Sequence, residues 1–223
     1  MDHDEEHRGW YVARRLPHFD TAGTLQFVSF RLADSLPAQV LAAFEHELQE
    51  LPRSARTIAM RARIESYLDQ GYGCCLLARP EMAATLCQAF NHYHDRRYRL
   101  LAWCIMPNHV HILIEPQASL PRIVQAWKSW SARWAFQHAA ELKLDMPQNG
   151  FWMHGYWDRY IRDEAHFHAA VSYIHENPVK AGLCKVASDW AWSSASAKLN
   201  PAVCGLKSDG RGNAERPVRP WPV

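Results

Sequence analysis

Two histidines lie two positions apart in the stretch Leu100-Leu-Ala-Trp-Cys-Ile-Met-Pro-Asn-His-Val-His-Ile-Leu-Ile-Glu115. Its second half is dense in valine, isoleucine and leucine and is followed by a proline, which predicts a buried strand. Because side chains alternate across a strand, His109 and His111 point to one face while Val110 and Ile112 point to the other. Two imidazoles on one face are a ready pair of metal ligands, although two half-exposed histidines on an edge strand give the same pattern.

The elements around this stretch follow a regular order. A strand over 100–106 is joined to the histidine strand by Pro107-Asn108, which predicts an antiparallel hairpin. The remaining predicted elements are a strand over 24–32, helices over 79–94 and 120–142, and a strand over 151–161. This order predicts an α+β fold, namely a ferredoxin-like β-α-β-β-α-β antiparallel sheet with helices on one face. Residues 36–70 then form a helical insertion after the first strand.

The chain ends differ in composition from the middle. Residues 1–9 are acidic and predict a disordered leader, and residues 200–223, rich in proline, glycine and charge, predict a flexible tail. The remaining residues, 10–199, are predicted to form one domain. Its first ten residues are basic and aromatic without clear periodicity, and we predict that they form an arm. No apolar stretch approaches the roughly 20 residues that span a bilayer, and the N-terminus lacks a signal-peptide pattern. We therefore predict a cytoplasmic protein without a membrane partner.

Charge and aromatic content leave two interpretations open. The net charge is only +2, but residues 1–7 hold four acids and no Lys or Arg, so the remainder carries +6. Ten tryptophans and eight tyrosines accompany this basicity. Cationic and aromatic side chains together suit single-stranded nucleic acid, and they also suit an aromatic-rich core. The six cysteines form no C-x-x-C pair, so a zinc module is not indicated.

A helix is predicted from Asp163 to about Asn177, because the residue before a proline disfavours helical dihedrals. Its buried stripe follows the i, i+3, i+4, i+7 spacing of Phe167, Ala170, Val171 and Ile174. Tyr173 and Asn177 are i, i+4 neighbours at the border of that stripe and project together. A lone tyrosine in such a position is more often an ordinary border residue, so its meaning depends on the motifs around it.

These motifs occur in combination. Met106-Pro-Asn-His-Val-His111 is followed by Trp157-Asp-Arg-Tyr-Ile-Arg-Asp163 and then by Tyr173-Ile-His-Glu-Asn-Pro-Val-Lys-Ala-Gly-Leu183. The combination resembles the REP-associated tyrosine transposases, which are single-tyrosine transposases of the HUH nuclease superfamily. Arg14-Arg-Leu-Pro-His-Phe19 and Phe27-Val-Ser-Phe-Arg-Leu-Ala-Asp-Ser-Leu-Pro37 also resemble one branch of that family.

The resemblance covers roughly residues 10–195 and implies a set of site residues. His109 and His111 would be the metal-binding pair, Asn177 the third ligand and Tyr173 the nucleophile. Mixed nitrogen and oxygen ligation suits Mg²⁺ or Mn²⁺. The basic residues predicted to contact DNA are Arg14, Arg15, Arg122, Lys128, Arg133 and Lys180.

The implied function is a metal-dependent endonuclease and strand transferase, a transposase acting on single-stranded DNA beside a hairpin of the REP type through a 5′-phosphotyrosine. The partner is therefore single-stranded DNA with a hairpin, and the protein is predicted to be a monomer or homodimer. Tyr156 and Tyr160 are the competing nucleophiles. Two alternatives stay open: a domesticated hairpin-binding protein that no longer cleaves, and an RNA-binding ferredoxin-like module.

Overall fold

The structure is a computed structural model that describes residues 7–13, 16–147 and 150–196. In chain order its strands and α-helices are β1 (Gly9–Ala13), β2 (Leu16–Asp20), β3 (Gln26–Arg31), α1 (Ala38–Glu47), α2 (Arg53–Asp69), α3 (Pro80–His92), β4 (Tyr98–Ile105), β5 (His109–Pro116), α4 (Leu120–His138), β6 (Trp157–Tyr160) and α5 (Glu164–Lys180). Among the described residues, no helix combines the length and the hydropathy needed to cross a membrane.

Four strands form an antiparallel sheet in the order β4-β5-β3-β6. The histidine strand β5 lies inside this sheet, where His109 pairs with Arg31 and His111 with Ser29 of β3. β3, α3, β4, β5, α4 and β6 follow one another in the predicted β-α-β-β-α-β order. The ferredoxin-like α+β fold is therefore confirmed, and the histidines are not on an edge strand.

Each face of the sheet is covered by helices. Val110 and Ile112 pack with Trp127 of α4 in one buried cluster, to which α3 also contributes. Leu113 of β5 packs with Ile174 of α5 in a second cluster on the other face. The prediction of helices on one face thus holds for α3 and α4. The tyrosine-bearing helix α5 instead covers the opposite face, toward which the alternation of β5 directs its histidines.

The predicted helical insertion over 36–70 consists of α1 and α2. Both helices are poorly buried: α1 has no buried residue, and Leu68 is the single buried residue of α2. The chain after α2 is nevertheless fixed, because Gly73 has a φ of +75° and its Cα faces the Asp34 and Ser35 carbonyl groups. A side chain at Gly73 would lie 2.7 Å from these oxygens, so glycine is required at this turn.

Helix α5 does not end at Asn177 as predicted. It continues through Pro178 to Lys180, and its last turn is held by bonds from the Ala181 amide to the Asn177 carbonyl (3.0 Å) and from the Leu183 amide to the Pro178 carbonyl (2.8 Å). The preference that a proline imposes on the preceding residue is a bias, and here the burial of Asn177 and Pro178 against the sheet outweighs it. Asn177 consequently keeps its helical position one turn after Tyr173.

The arm over 10–19, predicted to lack periodicity, is a β-hairpin. β1 pairs with β2 from Gly9↔Asp20 to Ala13↔Leu16, so the predicted leader does not extend to residue 9. The hairpin is bound to the domain by polar contacts: His18 hydrogen-bonds the Asp158 carboxylate of β6. Asp20 accepts from the backbone amide of Leu120 at 3.1 Å and so satisfies an open amide at the start of α4. The predicted tail over 200–223 lies outside the described residues.

Candidate functional site

The two histidines form a buried pair on the α5 side of the sheet. Their Nε2 atoms are 2.9 Å apart and their rings are nearly perpendicular. Burial lowers the pKa of both imidazoles, that of His109 to about 3, so both rings are neutral at neutral pH. Adjacent ligands of an octahedral ion with bonds of about 2.1 Å are about 3.0 Å apart. The His109–His111 spacing therefore matches two ligands of one metal ion.

Asn108 orients the first of these rings. Its Oδ1 lies 2.7 Å from Nδ1 of His109, and an amide oxygen only accepts, so Nδ1 carries the proton and Nε2 presents a lone pair. The Asn108 amide nitrogen in turn donates to the backbone carbonyls of Leu68 (3.0 Å) and Tyr72 (3.1 Å). Such a second hydrogen bond is what fixes the tautomer of a metal-binding histidine. In the sequence Asn108 had been interpreted only as part of a tight connection.

Helix α5 brings Tyr173 and Asn177 to the histidines, and the two side chains project together as the helical spacing predicts. The Asn177 amide nitrogen lies 3.3 Å from Nε2 of His111, while its Oδ1 is buried without a hydrogen-bond partner. Rotating the amide by half a turn exchanges the two atoms and directs Oδ1 at the same place. The Tyr173 ring is 5.2 Å from the His111 ring. The candidate nucleophile and the candidate third ligand thus reach one imidazole from the same helix.

The environment of Tyr173 keeps its hydroxyl protonated. Burial is the main cause that raises its pKa, and the carboxylates of Glu65 and Asp69 raise it further. The Arg61 guanidinium and a hydrogen bond with Asn177 act in the opposite direction. Deprotonation of the phenol therefore requires additional positive charge near the oxygen, which a metal ion between the histidines would supply.

The insertion adds a carboxylate that the sequence did not predict. Asp69, the last residue of α2, places its Oδ1 3.5 Å from Nε2 of His109. Asp69, His109 and His111 each offer one ligand atom, all within 4.8 Å of one another. Burial, followed by the nearby Glu65 carboxylate, raises the pKa of Asp69 to about 6. Forty residues separate Asp69 from the histidines, and α2 is a basic helix in sequence, so no local pattern indicated this contact.

The donor set fits a divalent cation. Three buried polar atoms next to the paired Nε2 atoms have no hydrogen-bond partner within the described chain: Asp69 Oδ1, His111 Nδ1 and Asn177 Oδ1. Buried polar atoms are almost always satisfied. One cation beside the two neutral imidazoles would satisfy the Asp69 carboxylate and, with the amide rotated by half a turn, the Asn177 oxygen. Two nitrogen and two oxygen donors form a mixed set of the kind that holds divalent cations.

Comparisons with known proteins match the part of the chain that contains these residues. The model of the family described as "Transposase IS200 like" matches residues 78–177, a range that holds the histidines, Tyr173 and Asn177. A REP-associated tyrosine transposase of Escherichia coli is 30% identical over 126 residues, covering 52% of this chain and 68% of that protein. The chain belongs to the REP-associated tyrosine transposases. It is accordingly an enzyme of the transposase class.

Two further comparisons extend over more of the chain. A Haemophilus influenzae protein described as a REP-associated tyrosine transposase is 28% identical over 173 residues, covering 73% of this chain and 89% of that protein. A solved structure described as a REP-associated tyrosine transposase bound to a REP hairpin matches with a TM-score of 0.50. It covers 82% of both chains at 18% identity, and it supports the fold.

The basic residues predicted to contact DNA are divided between the two faces of the transposase. Arg122, Lys128 and Arg133 lie on α4, which covers the face opposite the histidines, and Lys128 donates to the Met153 and Gly155 carbonyls at 2.7 Å each. Lys180 lies at the end of α5 with its Nζ 5.3 Å from the Tyr173 ring. Arg14 and Arg15 fall outside the described residues. DNA contact by any of the six stays a prediction; of the four that the structure describes, Lys180 lies beside the candidate nucleophile.

The competing tyrosines lie toward the β1–β2 hairpin. The Tyr156 hydroxyl hydrogen-bonds that of Tyr11 at 2.8 Å, and the Tyr160 ring packs against Phe19 at 5.3 Å. Tyr156 also contacts His18, and burial raises its pKa strongly. Both tyrosines therefore have structural partners in the hairpin, whereas the ring of Tyr173 contacts that of His111.

Proposed function

We propose that this transposase is a metal-dependent endonuclease and strand transferase that recognises hairpins of the REP type and cleaves single-stranded DNA next to them. The observation that carries the proposal is the meeting of α5 with β5, where Asn177 lies 3.3 Å from His111 and the Tyr173 ring lies beside the same imidazole. We also propose that the predicted domain, residues 10–199, carries out both hairpin recognition and cleavage. The protein would act in the cytoplasm, where its DNA substrate is found.

Tyr173 is the nucleophile in this proposal. Its hydroxyl oxygen attacks the phosphorus of a DNA phosphodiester, the oxygen–phosphorus bond forms as the bond to the 3′ oxygen breaks, and that oxygen takes up a proton as a free 3′-hydroxyl. The strand with the 5′ phosphate stays attached to the tyrosine. Because the phosphoester is kept in this covalent product, attack by another 3′-hydroxyl reverses the step and joins a new strand. One tyrosine supports one cleavage at a time.

His109, His111 and Asn177 would hold the divalent metal, proposed to be Mg²⁺ or Mn²⁺. Bound there, the ion polarises the phosphoryl group as a Lewis acid. The protein residues supply the remaining requirements: Asn108 fixes the His109 tautomer, and α5 holds the phenol ring beside that of His111. Lys180, at the C-terminal end of α5, adds a positive charge beside Tyr173, which would attract an anionic strand.

Recognition of a hairpin is supported by family membership and by the solved relative that is described as bound to a REP hairpin. The test uses labelled single-stranded oligonucleotides carrying the hairpins that flank the gene of this transposase, incubated with Mn²⁺. The expected product is a protein–DNA adduct that survives denaturation. A protein that binds these hairpins but gives no adduct would instead be the domesticated, non-cleaving binding protein. Binding of RNA hairpins in preference to DNA would favour the RNA-binding module.

Variants of the tyrosines assign the nucleophile. Tyr173→Phe removes only the attacking oxygen, so we expect the adduct to disappear while hairpin binding persists. Tyr156→Phe and Tyr160→Phe are the matched controls and should retain the adduct. Undiminished adduct in Tyr173→Phe would refute the assignment, and adduct formation that is unaffected by EDTA would refute the metal requirement.

A further inference from the structure

Helix α2 is attached to the active site chiefly through its C-terminal end. Leu68 is its single buried residue, so apolar burial contributes little to its docking. Polar contacts replace it: the Leu68 carbonyl accepts from Asn108, and the Arg61 guanidinium lies over the Trp157 ring. The helix therefore ends beside the histidine strand although most of its surface remains exposed.

The final residue of this helix has an unusual environment. The Asp69 Oδ1 atom is buried, lacks a hydrogen-bond partner in the described structure and faces Nε2 of His109. By contrast Glu65, one turn earlier, is satisfied by two hydrogen bonds from Arg61, at 2.8 and 2.9 Å. A carboxylate at the C-terminal end of a helix also opposes the helix dipole. Asp69 thus combines an unfavourable position with an unsatisfied oxygen, and a cation beside His109 would offset both.

We infer that Asp69 is a ligand of the metal ion held by His109 and His111, and that this bond clamps α2 onto the active site. The inference rests on the metal site of the proposed function and extends it to a helix outside the range 78–177 that the family model matches. A carboxylate adds a formal negative charge to two neutral imidazoles and a neutral amide. This charge favours a hard divalent cation and makes the docking of α2 depend on the metal.

The first measurement is Mn²⁺ affinity without DNA, from electron paramagnetic resonance of free Mn²⁺ and from calorimetry. Loss of an outer hydrogen bond to a metal ligand commonly costs about 10- to 100-fold in affinity. Replacing a charged carboxylate ligand by a neutral and weaker amide oxygen in Asp69→Asn should therefore cost at least about tenfold. Glu65→Gln is the matched control, because it removes the same charge from the same helix without removing a ligand atom. We expect its affinity to stay within about threefold of the wild type.

The second measurement is hydrogen–deuterium exchange with and without Mn²⁺. Mn²⁺ should slow amide exchange in α2 of the wild type and of Glu65→Gln, and should leave α2 of Asp69→Asn unchanged. This comparison is internal to each variant, so it is informative even where a substitution lowers overall stability.

The outcomes separate the two proposals. A wild-type protein that binds no Mn²⁺ would overturn the metal site itself and, with it, the proposed function. Wild-type affinity in Asp69→Asn would overturn the role of Asp69 and leave that site intact. An equal loss of affinity in Asp69→Asn and Glu65→Gln would show that the effect is one of net charge, which also overturns ligation.

Discussion

Replacing Asn108 should weaken both the fold and the metal site. Asn108 is fully buried and its side chain makes three hydrogen bonds, to His109 Nδ1 and to the carbonyls of Leu68 and Tyr72. Asn108→Ala breaks all three bonds at once. The change therefore releases the imidazole that carries the first ligand atom and detaches the end of α2 from the sheet.

The magnitude follows from these bonds. Each broken bond costs roughly 1 kcal/mol, which gives a loss of about 3 kcal/mol in the free energy of unfolding. Leu68 keeps a second partner, the amide of Gly71 at 2.9 Å, whereas the Nδ1–H of His109 is left buried without an acceptor. A loss of about 3 kcal/mol lies within the typical total stability of a domain, so the variant should still fold. Mn²⁺ affinity should fall by about 10- to 100-fold because the tautomer of His109 is no longer fixed.

Urea unfolding measures the first effect and calorimetry with Mn²⁺ the second. Asn91→Ala is the control for stability, since Asn91 is half-buried and donates one bond, to the Cys87 carbonyl at 2.8 Å, and should cost about 1 kcal/mol. Asn108→Asp separates the two effects: it keeps the acceptor for His109 but loses both donated bonds. We expect it to be destabilised and yet to bind Mn²⁺ more tightly than Asn108→Ala. A cost for Asn108→Ala no greater than that for Asn91→Ala would refute the reasoning.

Three further predictions concern pH, the turn after α2 and the metal. The pKa values of His109 and His111 are lowered by burial, so in the metal-free protein their contribution to stability is complete above about pH 6.5 and declines as the pH falls. For His109, whose pKa is about 3, the decline is about 1 kcal/mol per pH unit down to that pH. The pKa of Asp69 is raised to about 6, so this one carboxyl group has the opposite effect and adds stability as the pH falls. Because two imidazoles outweigh one carboxyl group, the free energy of unfolding should decrease in acid, and urea unfolding at several pH values can measure this decrease. His111→Asn should make the decrease smaller. Gly73→Ala should cost more than about 3 kcal/mol because its Cβ would meet backbone oxygens at 2.7 Å, whereas Gly71→Ala, with φ at +71° and open space, should cost about 1 kcal/mol in the same assay. Saturation with Mn²⁺ at about 100 times its Kd should stabilise the wild type by about 2.7 kcal/mol in thermal unfolding, and an unchanged Tm would contradict a native metal site.

The parts of the site that the sequence predicted correctly depend on local periodicity. Strand alternation places His109 and His111 on one face whatever the strand pairs with, and the 3.6-residue period places Tyr173 and Asn177 together. The order of elements then restricts the sheet to the ferredoxin-like arrangement, because strand connections follow few topologies. These features needed no knowledge of distant contacts.

The elements that were predicted incorrectly depend on tertiary contacts. The β1–β2 hairpin is short, and its attachment comes from Asp158 of β6 and from the start of α4, both more than 90 residues away. Helix α5 passes Pro178 because packing against the sheet outweighs a local dihedral preference. Secondary-structure propensity describes an isolated segment, whereas tertiary contacts determine the conformation of both the hairpin and the end of α5.

Asp69 shows why a ligand on an insertion cannot be found from local patterns. Its position follows from a chain of backbone contacts: Gly73 lies against the carbonyls of the segment after β3, and the amide of Leu77 donates to the Pro107 carbonyl at 3.0 Å, immediately before the histidine strand. These contacts hold the chain that leaves α2 beside β5, so that the last residue of the helix faces His109. None of them involves a side chain with a recognisable motif. The sequence pattern that could indicate Asp69 is therefore only an acidic residue at a helix end followed by Gly71-Tyr-Gly73. This pattern indicates a metal ligand only when the neighbouring strand is already known to carry metal-binding histidines.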